Sequence, residues 1–141
     1  MRNLLLLTAT MLFASYFGYS QGSTCLGADP FCTGTTYSFP NNTNTSSESG
    51  PNYGCLSTQP NPAWYYLQID QSGNLDITIS QVDNNGSGID VDFIAWGPFG
   101  SPTGPCTAGL TSGNTVDCSY STAATETANI TGAVAGEYYI L

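Results

Sequence analysis

The chain has 141 residues with ten Asp and Glu, one Lys or Arg and no His, a formal net charge of −9. The one basic residue is Arg2, so the rest lacks the cations that neutralise nucleic-acid phosphates or attract anionic lipid headgroups, which excludes both as partners. Hydrolytic triads need a His or Lys base and phosphoryl transfer needs basic clamps, and nothing selects a catalytic pair among the carboxylates, so no enzyme is expected.

Residues 1–20 have the form of a secretory signal peptide. Arg2 gives a charged start, residues 4–13 form an apolar run, and the small residues Ser15, Gly18 and Ser20 precede a cleavage point near Gln21. The run is too short for a membrane span, which needs about 20 residues, so no membrane insertion is expected after cleavage. Residues 21–141 then make one domain of ordinary size, secreted or held at the cell surface.

Beyond residue 36 the pattern is strands between turn-rich loops, with no helical periodicity. Residues 63–70 (AWYYLQID) place Tyr65, Leu67 and Ile69 on one face and Trp64, Tyr66 and Gln68 on the other. Residues 75–80 alternate cleanly, with Leu75, Ile77 and Ile79 against Asp76, Thr78 and Ser80, one face buried and one wet. The turn Gln71-Ser72-Gly73-Asn74 between the two predicts an antiparallel hairpin. Residues 90–97 (DVDFIAWG), 127–131 and 137–141 complete the series. The fold class is therefore all-β, expected as an antiparallel β-sandwich or jelly roll. Long loops at 41–61 and 98–121 call for a staple or a function. The chain stops inside its last strand without a closing turn. It is therefore expected to be a fragment truncated at that strand, with downstream domains of the same chain among its partners.

Five cysteines in an exported chain are disulfide partners first. Cys106 and Cys118 flank an eleven-residue stretch with Gly109, Gly113 and Asn114 and are expected to close a local loop, worth about 3 kcal/mol. Among Cys25, Cys32 and Cys55 one is left over. Cys32 with Cys55 is the preferred bridge, with Cys25–Cys55 and Cys25–Cys32 open. Asp83, Asp90 and Asp92, around a loop rich in Asn and Gly, are the candidate calcium ligands, since clustered oxygen donors suit that cation. The competing reading is a solvated turn. Trp64, Tyr65, Tyr66, Trp96, Phe99, Tyr138 and Tyr139 form either a platform for a sugar or peptide or, as strand spacing favours, core and cross-strand pairs.

The segments 30–40 (PFCTGTTYSFP), 50–56 (GPNYGCL), 60–69 (PNPAWYYLQI), 90–99 (DVDFIAWGPF) and 116–121 (VDCSYS) occur in that order. Together they resemble the N-terminal domain of exported Bacteroidetes surface proteins, which often end in a gliding-motility-associated or type IX secretion C-terminal domain. The likeness spans residues 25–141. It implies secretion, cell-surface display and adhesion. In that family Cys often stands where this chain has Ala95 and Ala128, which implies one bridge fewer here. A lesser likeness to pre-peptidase C-terminal and CUB-like sandwiches implies a jelly roll. The expected function is a non-catalytic extracellular module of a larger exported protein, in attachment or display, with a surface glycan or a protein as ligand. The alternative is an accessory carbohydrate- or protein-binding domain of a secreted hydrolase.

Overall fold

The computed structural model describes residues 22–141 except 33, 35 and 40–42; the signal-peptide reading lies outside the described residues. The chain is mostly β, with two sheets and two disulfides. Among the described residues the helical content is three single 3-10 turns, at Cys25–Gly27, Gly104–Cys106 and Ser112–Asn114. Among the described residues no helix is long and apolar enough to cross a membrane.

The larger sheet contains β1 (Asp29–Pro30), β2 (Tyr65–Gln68), β4 (Phe93–Phe99), β5 (Thr115–Ser119) and β7 (Tyr138–Ile140), in the order β1-β2-β7-β4-β5. β1 runs parallel to β2 and the other pairings are antiparallel. The smaller sheet pairs β3 (Gly73–Ser80) with β6 (Thr125–Ala133) antiparallel.

Burial explains why these segments are strands. β6 alternates, with Glu126, Ala128 and Ile130 buried between exposed neighbours, the period of a strand with one wet face. β4 does not alternate, and its first five residues are all buried. It has a strand on each side, and both faces are covered. One face joins Ile94 and Trp96 to Cys25, Trp64, Leu110 and Ile140, under the loops that carry Tyr53, Leu56 and Cys106. A second cluster joins the two sheets. It brings Leu67, Ile69 and Tyr139 of the larger sheet side against Ile130 and Ala133, with Leu75 and Ile77 at its margin. Ala95 of β4 and Ala128 of β6 are both fully buried.

The expected hairpin between residues 63–70 and 75–80 does not form. β2 takes β7 and β1 as neighbours, β3 takes β6, and residues 69–72 carry the chain from one sheet to the other. Alternation fixes which face of a strand is apolar. It does not say whether the next apolar face lies beside it or across the core. β5 also lies inside the stretch read as a loop over residues 98–121.

The disulfides differ from the expected pairs. Cys25 bonds Cys106 and Cys55 bonds Cys118, with Cα–Cα distances of 5.5 and 6.0 Å. Neither Cys106–Cys118 nor Cys32–Cys55 is formed. Cys118 is held on β5 opposite Ile94, and the segment at Tyr53–Cys55 packs against that same stretch. Gly54, at φ +55°, lies so close that a Cβ would stand 2.7 Å from Ile94 Cδ1, tighter than side chains tolerate. Cys106 sits in a 3-10 turn that covers the cluster holding Cys25. Each bridge therefore ties a distant loop to the sheet. Cys32 is exposed, and its N–H donates to Tyr37 Oη at 3.1 Å.

With no basic side chain beyond Arg2, carboxylates find backbone N–H groups instead. Glu48 accepts from Cys25 N at 2.8 Å and Glu137 from Val134 N at 2.8 Å. Asp117 accepts from Cys118 N with one oxygen and from Asn129 N with the other, at 2.8 and 2.7 Å, tying β5 to β6 across the sheet boundary.

Candidate functional site

The acidic loop does not assemble as a calcium site. Among the described residues no group of three or more His, Cys, Asp or Glu side chains could hold a metal ion. Asp83 Oδ1 is occupied by its own turn, accepting from Asn85 N and Ser87 N at 2.8 Å each. Those N–H groups hold the Asp83 carboxyl below the usual carboxylate range. Asp90 is exposed, whereas Asp92 is half-buried. Asp83, Asp90 and Asp92 thus do not form one ligand set: the turn satisfies the first internally, the second is exposed, and the third is half-buried just before β4.

Asp92 belongs instead to a niche where residues just before β4 meet the end of β5 and the start of β6. Glu126, only 8% exposed, accepts hydrogen bonds at Oε1 from Ser119 Oγ (2.6 Å) and Ser121 Oγ. Its Oε2 and Asp92 Oδ1 are buried with no hydrogen-bond partner among the described residues. Burial raises the Asp92 carboxyl above its ordinary range, and the charges of Asp90 and Glu126 push it further. The Ser121 backbone N–H pulls the other way.

This arrangement gives a pH dependence of definite sign. Well below the unfolded value Asp92 is protonated in both states and costs nothing. As pH climbs through the raised folded value, the folded state must carry a charge it disfavours, and stability falls. Asp92→Asn is therefore expected to stabilise the fold near pH 7 and to change little near pH 3. Denaturant melts at the two pH values check it, and equal effects at both would remove the charge argument.

The aromatic residues divide. Trp64, Trp96 and Tyr139 are buried; the two indoles stack at 5.6 Å and 8° with Tyr66 and Phe99 packed against their cluster, and Tyr139 belongs to the inter-sheet cluster. They are core, as strand spacing favoured. Tyr65 is different, because it opens a row that sequence reading missed. Phe39 lies over Tyr65 at 4.8 Å, Tyr37 stacks on Phe39 at 5.7 Å and 5°, and Phe31 meets both Tyr65 and Tyr37 edge-on at 6.2 and 6.5 Å. Tyr37 is 42% exposed. The signal was present in Tyr37-Ser38-Phe39, whose two-residue spacing sends both rings to one side of an extended chain. Burial and the nearby Asp29 carboxylate push the Tyr65 phenol up to about 12, so it stays a neutral donor under any physiological condition.

Two shallow concavities, of about 520 and 240 Å³, lie around the crossing turn over residues 68–76 and at Gly136. Their polar side chains include Gln68 and Asp70. Comparison with protein-family models, with curated proteins and with solved structures finds no match for the chain.

Proposed function

We propose that the chain is a non-catalytic extracellular module, a two-sheet β-sandwich of jelly-roll type, that binds a surface glycan or a protein through the row Phe31, Tyr37, Phe39 and Tyr65. The observation that carries this reading is the exposed Tyr37 ring stacked parallel on Phe39, itself seated on a sheet residue. Flat rings fixed at a surface offer contact area to sugar faces at small entropic cost. The two long-range disulfides support an oxidising, extracellular setting. The resemblance to exported Bacteroidetes surface proteins supports adhesion or display as the context.

The test is titration of the purified chain with a panel of surface polysaccharides, read by calorimetry. Binding of at least one is expected, weakened about tenfold or more in Tyr37→Ala/Phe39→Ala, since stacked rings contribute about 0.5–1.5 kcal/mol each beyond their area. The melting temperature of that variant should stay near wild type. Unchanged binding in the folded variant would remove this surface from the account.

A further inference from the structure

The smaller sheet has an edge that the rest of the chain leaves open. β3 pairs with β6 on one side, and among the described residues no strand pairs with its other side. Burial across this pair is unequal. Ile130, Ala128 and Glu126 of β6 are buried, while the residues opposite them, Leu75, Ile77 and Ile79, remain half-exposed. Leu75 and Ile77 reach the inter-sheet cluster only from its margin. An apolar row along an unpaired strand edge is a template for one more strand.

The sequence of β3 indicates which strand fits. Residues 75–79 read Leu-Asp-Ile-Thr-Ile, a pattern complementary to itself in the antiparallel sense. With a two-fold axis at Ile77, Leu75 faces the partner's Ile79, Asp76 faces the partner's Thr78, and Asn74 faces the partner's Ser80. The apolar side chains of both copies then share one face. A slip by one residue sets apolar against polar positions. A slip that centres on Asp76 puts two carboxylates directly opposite, which is unfavourable. A centre at Thr78 keeps the faces but shortens the overlap.

We propose that the chain associates with a second copy of itself through the β3 edges, antiparallel about Ile77, to form a continuous four-stranded sheet in the order β6-β3-β3-β6. The symmetric contact is isologous and closes on itself. It is also small, one strand pair per dimer, at the low end of specific interfaces. Both copies carry the same negative charge, so salt should tighten the association by screening. This inference concerns the smaller sheet and does not rest on the aromatic surface.

Sedimentation velocity of residues 21–141, in a concentration series up to roughly 1 mM at low and high salt, tests it at the strength such contacts reach. Reversible dimerisation, stronger at high salt, is expected. Thr78 is exposed on the outer face, so its substitution leaves the core alone. Thr78→Asp sets a carboxylate opposite the partner's Asp76 twice per dimer and should raise Kd by about two- to thirtyfold. Thr78→Lys should lower it by a similar factor. Melting temperatures of both variants confirm that they fold. A chain that stays monomeric throughout, or a Kd that moves in the same direction or not at all in the two variants, overturns the proposal.

Discussion

Replacing Cys55 and Cys118 together by alanine is expected to lower the unfolding free energy by about 4 kcal/mol, the loop-entropy value for a crosslink over 63 residues. For a domain of this size that corresponds to a fall in melting temperature of roughly 15 °C, which scanning calorimetry measures directly. The Cys25–Cys106 bridge spans 81 residues and has a similar entropic value, but the two bridges differ in access. Cys25 is fully buried beside Trp64, whereas Cys55 is exposed. A mild water-soluble reductant should therefore open Cys55–Cys118 first. Peptide mapping after partial reduction and alkylation reads the order, and label appearing first on Cys25 and Cys106 would contradict the argument from exposure.

Trp96→Ala is expected to cost about 3–5 kcal/mol, the range for removing a large aromatic from a close-packed core. Trp96 is 1% exposed and lies on β4 between β5 and β7. Its ring stacks on Trp64 and meets Tyr53 at 6.2 Å and 67°, and its indole N–H donates to Asn52 O at 3.2 Å. Truncation thus opens a cavity, breaks the aromatic stack and releases the loop that leads to Cys55. Urea denaturation gives the free energy, and loss of the exciton couplet of the paired indoles in circular dichroism gives the local change. A cost below about 1 kcal/mol would mean that the cluster collapses around the gap.

The strands were legible where one face is wet. Leu75, Ile77 and Ile79 alternate with polar residues, and β3 runs over Gly73–Ser80; the stretch 127–131 grew to Thr125–Ala133. Pairing was not legible, because the apolar residues of β2 and β3 meet across the core instead of side by side. β5 was hidden because Thr115-Val116-Asp117-Cys118-Ser119 exposes Val116 and tucks Asp117 inward to serve two backbone amides, the reverse of what hydropathy suggests. The same reversal governs the acidic loop. Asp83, Asp90 and Asp92 cluster in sequence, but backbone donors engage the first and partial burial sets the third apart, so the three form no common ligand set. Cysteine pairing rested on spacing along the chain, and the sheet joins residues that spacing keeps apart.

The amide partners of Glu48, Asp83, Asp117 and Glu137 carry one more implication. A fold that met its anions with lysine or arginine would weaken as ions shielded those pairs. Here the counter-groups are main-chain dipoles in direct hydrogen-bond contact, so added salt weakens chiefly the longer-range mutual repulsion of the carboxylates. Architecture of this kind should hold or gain stability as ionic strength rises.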